Sequence, residues 1–171
     1  AELGDYLDCD TYVAYLDART LENSAAYAAA CAAYLDLGDF LDSRDRAADM
    51  SARDRQTRYD RALRCYYTGS LDQALELFRG LKDYGDARAY TDYLTAVSMT
   101  ESGETDAAME IFAGLGDFEQ ASAYLSYLTA LSLEEAGEYE EARALYSALP
   151  GFRDSFSRLQ TLPGKGLERD L

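Results

Sequence analysis

The 171 residues hold 32 acidic and 16 basic side chains, a net charge of −16, and no histidine. A surface of that sign repels phosphates and anionic head groups, which argues against nucleic acid as a partner. With 48% hydrophobic residues the chain can still bury a core, and prolines only at 150 and 163 leave long stretches free to be helical.

In chain order, Leu3-Gly4-Asp5-Tyr6 reads as a linker, repeated as Leu37-Gly38-Asp39-Phe40 and Leu115-Gly116-Asp117-Phe118. Helices are predicted over 8–22, 25–36, 42–68, 71–80, 86–102, 105–114, 119–136, 139–148 and 154–162. Residues 86–114 illustrate the reasoning. Asp86 is placed to cap the free first-turn N–H groups. Tyr90, Tyr93, Leu94 and Val97 follow at helical spacing, and Gly103 ends the helix by taking positive φ. A shorter helix then carries Ala108, small where two helices cross, and Phe112 one turn on to fill the gap beside it.

The same pattern returns every 34 residues: Gly69, Gly103 and Gly137; Ala74, Ala108 and Ala142; Phe78, Phe112 and Tyr146. Residues 89–122 laid over 123–156 give 13 identities. The rhythm breaks once, where the ten residues 51–60 are inserted without glycine or proline, so they lengthen a helix rather than form a loop. The expected architecture is all-α, an α-solenoid of antiparallel helix pairs that bury their apolar faces on one another. It is a single domain over 1–162, with a half repeat at 1–10, repeats at 11–44, 55–88, 89–122 and 123–156, a capping helix at 154–162 and a loose tail at 163–171. Because the chain opens in the middle of a repeat, its parent is expected to continue upstream.

The run Gly69, Ala74, Phe78, Leu81, matched in the units at Gly103 and Gly137, resembles the tetratricopeptide repeat family. The resemblance covers about 11–156 and is of a degenerate type. The family's first-helix aromatic falls on Ala14, Arg58, Asp92 and Ser126, its closing proline on Asp42, Asp86, Gln120 and Asp154, and its turn glycine once on Ala25. The linker also resembles repeats common in large bacterial proteins. The resemblance implies a scaffold that binds a protein or peptide.

Two surfaces are candidates. Tyr15, Tyr59, Tyr93 and Tyr127 share one repeat position, and Tyr12, Tyr90 and Tyr124 another. They line a groove for an extended or helical peptide, or they pack between helices with the hydroxyl reaching solvent; both readings stay open. Residues 44–64 hold seven arginines against four aspartates, whereas 89–142 contains twelve acids and no lysine or arginine. Arg53, Arg55, Arg58, Arg61 and Arg64 form a basic face for an acidic partner, the acidic half of a second copy included. Alternatively they pair along their own helix, as Asp49–Arg53, Asp54–Arg58 and Asp60–Arg64 at i,i+4 suggest.

No phosphate loop, nucleophile elbow or metal-ligand spacing occurs, so no enzymatic activity, metal or cofactor is expected. Cys9, Cys31 and Cys65 are in no CxxC arrangement and read as small apolar residues. No apolar run is long enough to insert into a membrane. The leading expectation is a non-catalytic protein–protein interaction scaffold, cytoplasmic or an extracytoplasmic portion of a larger bacterial protein. The alternatives are a structural spacer or self-associating segment, and a regulatory domain of an enzyme or membrane protein outside these residues.

Overall fold

A computed structural model describes residues 4–163, with side chains from Cys9 onward. Among the described residues there are nine α-helices and no strand. They are α1 (Gly4–Asn23), α2 (Tyr27–Asp36), α3 (Ser43–Tyr67), α4 (Leu71–Leu81), α5 (Ala87–Ser102), α6 (Thr105–Leu115), α7 (Ala121–Glu135), α8 (Tyr139–Ser147) and α9 (Ser155–Thr161). The chain divides into two compact units, Ala1–Gly85 and Asp86–Leu171. In the first, α1 packs on α2, α2 on α3 and α3 on α4; in the second, α5 packs on α6, α6 on α7, α7 on α8 and α8 on α9.

Alanine makes this neighbour packing close. Ala18, Ala62, Ala96 and Ala130 in α1, α3, α5 and α7 are fully buried, and so are Ala30, Ala74, Ala108 and Ala142 in α2, α4, α6 and α8. Small residues at a crossing let helix axes approach to about 8 Å, the tight end of the usual range. One turn after each second-helix alanine stands a large ring, Tyr34, Phe78, Phe112 or Tyr146, and all four are buried.

Tight turns connect the helices. At the end of α5, Gly103 takes φ +83°, its N–H donates to the Thr100 carbonyl, and Glu104 N–H donates to the Met99 carbonyl at 2.9 Å. This pair of bonds satisfies carbonyls that the helix end leaves open. The turn at Ala25 makes the same two bonds, to Glu22 and Leu21, with alanine held at φ +58°.

Several expectations are corrected. Asp86 stands at the head of α5, but its carboxylate makes no capping bond. With φ −91° and ψ 16° its backbone lies in the bridge region, and side-chain capping requires the extended backbone that aims the carboxylate at the first-turn N–H groups. Gly4, Asp5 and Tyr6, expected in a linker, lie instead within α1, which starts at Gly4. The later turn at 37–40 is held by bonds from Gly38 N–H to the Leu35 carbonyl and from Phe40 N–H to the Leu37 carbonyl. No cysteine is buried: Cys9 is exposed, and Cys31 and Cys65 are half-buried. The inserted residues 51–60 lie inside α3, which is unbroken over 25 residues. The tail expected over 163–171 falls, from 164 on, outside the described residues, as do Leu3 and the two residues before it.

Two substitutions separate packing from turn geometry. Ala108→Leu should lose about 1–3 kcal/mol by overfilling the crossing. Gly103→Ala should lose about 1 kcal/mol through its positive φ alone, because a Cβ there meets nothing within 4 Å. Urea unfolding of both variants checks this, with midpoints shifting and slopes unchanged.

Candidate functional site

The seven candidate tyrosines are spread over α1, α3, α5 and α7. Tyr15, Tyr90, Tyr93 and Tyr127 are buried, Tyr59 and Tyr124 are half-buried, and Tyr12 is 49% exposed. Their rings meet other aromatic rings edge to face or tilted, apart from the stacked contact of Tyr124 with Phe112. Tyr15 packs on Tyr34 and Phe40, Tyr59 on Phe78 and Tyr84, Tyr93 on Phe112 and Phe118, and Tyr127 on Tyr146 and Phe152, all with centroids between 5.8 and 6.3 Å apart. Each ring is thus wedged between the second-helix aromatic and the linker aromatic, a geometry that adds to area burial.

Several of the hydroxyls are bound rather than free, which sequence reasoning missed. The Tyr34 hydroxyl donates to Glu22 Oε2 at 2.7 Å, and Arg46 Nη1 donates to the same carboxylate at 2.8 Å. Arg46 Nε donates to Asp42 Oδ2 at 2.9 Å, and the Tyr15 hydroxyl donates to Asp42 Oδ1 at 2.6 Å. The second unit contains the same network. Tyr146 donates to Glu134, Arg158 donates to Glu134 and Asp154, and Tyr127 donates to Asp154. The sequence separations are identical in the two networks: 12, 24, 4 and 27 residues. Counted back from the second network in steps of 34, the positions of Glu134 and Arg158 are held by Thr100 and Tyr124, then by Tyr66 and Tyr90, and that of the Tyr146 ring by Phe112 and then Phe78. Among the four buried second-helix rings, a hydroxyl is therefore present only where a carboxylate stands ready to accept from it.

The charges follow from these contacts. The Tyr15 hydroxyl and the Arg46 guanidinium hold the Asp42 carboxyl below the usual carboxylate range. Tyr34, helped by Arg46, does the same for Glu22 against the opposing effect of burial. Burial and the Glu22 carboxylate push the Tyr34 phenol up to about 12. In the second unit burial raises Tyr127 and Tyr146, with Asp154 and Glu134 adding to it. Next to each network sits a fully buried serine, Ser43 or Ser155, whose hydroxyl finds no partner.

The arginine face lies along α3. Arg53 Nε donates to Asp49 at 2.9 Å, and Arg58 is 3.8 Å from Asp54. The third expected pair does not form, because Asp60 accepts from the Gln56 amide at 2.8 Å. Arg55, Arg61 and Arg64 are exposed and have no carboxylate partner among the described residues. Arg61 borders a cleft of about 380 Å³ with Asp72 and Glu76 of α4, where acids outnumber the base. Arg55 and Arg58 border another, of about 410 Å³, with Gly80, Lys82, Asp83 and Tyr84. There Arg58 Nη2 donates to the Gly80 carbonyl at 3.4 Å, the Arg55 guanidinium lies 5.8 Å over the Tyr84 ring, and the Tyr84 hydroxyl donates to Gln56 at 2.8 Å. Three cations and one carboxylate thus border a single cleft of the first unit. Sequence reasoning assigned Arg55 and Arg58 to a basic helix face, without the cleft, and missed Lys82 and Tyr84. Their signal was Leu81-Lys82-Asp83-Tyr84, a lysine in the glycine place of the linker.

The chemistry these groups offer is charge-assisted hydrogen bonding to an anion and stacking on a tyrosine ring. Among the described residues no three His, Cys, Asp or Glu side chains gather as metal ligands would.

The networks make stability depend on pH in a defined direction. Glu22 and Asp42 bind protons less readily folded than unfolded, so their contribution is present above the usual carboxylate range and fades as pH falls below it. Tyr34 contributes fully below its ordinary value, and its contribution is lost as pH rises toward about 12. Tyr34→Phe should cost about 1 kcal/mol at neutral pH and flatten both limbs of a urea-midpoint-against-pH curve. Ser43→Ala should leave stability unchanged or raise it, since the hydroxyl it removes is desolvated and unbonded. Compared with known proteins, the chain matches no family model, no curated protein and no solved structure.

Proposed function

We propose that the chain is a degenerate tetratricopeptide-like α-solenoid, a non-catalytic scaffold that binds an acidic protein or peptide through the exposed face of α3. The architectural part is supported by helices that each pack on their chain neighbours and by buried alanines at matching places in the first and second helices. The 34-residue spacing of Gly69, Gly103 and Gly137, all with φ between +80° and +83°, supports it further.

The functional part rests on one observation. In a chain of net charge −16, Arg55, Arg61 and Arg64 stand exposed on one helix without a carboxylate partner among the described residues. Guanidinium groups on a rigid helix are suited to forked recognition of carboxylates. Structural pairing accounts for Arg53, and loosely for Arg58, but not for these three.

Exposed Tyr12, Val13 and Leu16 form an apolar stripe on α1 that favours the second reading, self-association. The corresponding stripe of α7 includes Leu128, which is buried, and Tyr124, whose ring stacks on Phe112 of α6 at 4.8 Å.

Binding to immobilised polyglutamate at low salt tests the scaffold reading. The wild type should be retained, and the triple variant Arg55→Ala/Arg61→Ala/Arg64→Ala should elute at markedly lower salt. Equal retention of the two proteins would refute the role of α3. Sedimentation velocity of wild type and Leu16→Glu tests the second reading, which predicts a concentration-dependent dimer that the substitution abolishes.

A further inference from the structure

We propose that the cleft between α3 and the segment after α4, bordered by Arg55, Arg58, Lys82 and Tyr84, is a binding site for a phosphate monoester dianion. The inference rests on the reading of α3 as the partner-facing surface and goes further in naming the group that is recognised.

Two independent observations carry it. The first is charge. Arg55, Arg58 and Lys82 border one cleft with Asp83 as the single acid of its lining; with Asp54 3.8 Å from Arg58 counted as well, the local charge is still positive, +1, on a chain that is otherwise acidic. Two of these cations are already positioned. Arg58 is held by the Gly80 carbonyl, and Arg55 Nε by the Ser51 carbonyl at 3.4 Å. The terminal amino groups of Arg55 keep no protein acceptor among the described residues and are available to a ligand oxygen. The Tyr84 ring, fixed through its bond to Gln56, forms an apolar wall below the Arg55 guanidinium. Planar guanidinium forks beside a point-charge ammonium match the oxygens of a phosphate. The local excess of positive charge favours the dianion that a phosphate monoester approaches at neutral pH.

The second observation is backbone strain at Lys82. It takes φ +54° and ψ −115°, a conformation natural to glycine and unfavourable for a residue with a Cβ. At the same place in the two comparable linkers stand Gly38 and Gly116, both at φ +57°, and Gly116 has a ψ of −120°. The fold would be relaxed with glycine at 82. A lysine there adds a cation to the border of the cleft, at the expense of stability.

A cleft of about 410 Å³ accommodates the phosphate and the residue that carries it, but not a folded domain. Two sources share this chemistry, a phosphorylated side chain of a partner peptide and free inorganic phosphate. Asp83 at the rim disfavours further acidic side chains beside the phosphorylated one.

The test is isothermal titration calorimetry of the full chain with three probes: a glycine-flanked phosphoserine pentapeptide, its unphosphorylated counterpart and inorganic phosphate. The phosphopeptide should bind and the serine peptide should not. Lys82→Gly and Arg55→Ala should each weaken binding about tenfold, the loss expected for one charge-assisted contact. Lys82→Arg should retain affinity. Lys82→Gly should at the same time raise the melting temperature by about 2–4 °C, a gain in stability coupled to a loss of binding. Inorganic phosphate binding as tightly as the phosphopeptide would assign the site to the free ion, and the dianion site would stand. Affinity unchanged in both Lys82→Gly and Arg55→Ala, or no binding of any phosphate probe, would overturn the proposal. If phosphate fails while polyglutamate still binds through the arginines of α3, the site falls alone. If both fail, the partner-binding reading falls with it.

Discussion

Two helices can share a tight crossing only if neither presents a large side chain at the point of contact. In this protein that constraint is met by paired alanines, one in each first helix and one in each second helix, all eight buried. The rest of the structure depends on it. Close approach leaves a gap one turn further along, which Tyr34, Phe78, Phe112 or Tyr146 fills. That ring supports the first-helix tyrosine, and the first-helix tyrosine supports the aromatic residue of the linker. Each hairpin is thus a short relay of small residue, ring, ring and turn, with little flexibility at the crossing because interiors are packed at crystal-like density.

Polar chemistry is admitted into this packing only where it is satisfied. Two of the four buried second-helix rings carry hydroxyls, and in both cases a glutamate from the preceding helix accepts the proton while an arginine neutralises the glutamate. The other two rings are phenylalanines. The reason is the high free energy of a buried hydroxyl without an acceptor, weighed against the modest net gain of a satisfied one. Ser43 and Ser155 are the exceptions, small enough that the loss is tolerated at a helix start.

The surface follows a different logic. Acidic groups cover most of the chain, but α3 carries arginines beyond what its own aspartates neutralise. Residues that keep unused donors or an unfavourable backbone, such as Arg55 with its terminal amino groups and Lys82 at positive φ, are where a scaffold is expected to meet its partner. The proposed binding role and the proposed phosphate site both follow from that local excess.

Much of this was legible in the sequence. The order and type of the helices, the unbroken passage of α3 through residues 51–60, the turn glycines and the small residue at each crossing are local properties of spacing and propensity, and each is written in a short stretch of chain. Tertiary structure alone decided the rest. That Asp42 turns to Tyr15 and Arg46 instead of capping its own helix depends on side chains 27 and 4 residues away. That Leu41, Glu119 and Arg153 adopt positive φ is imposed by the turns they complete, and their side chains give no hint of it. Which tyrosines are buried was equally hidden, because residues at the same repeat position differ only in what packs over them. Local sequence determines which elements form, but the partner of a side chain, and hence its charge, burial and availability to a ligand, exists only once those elements meet.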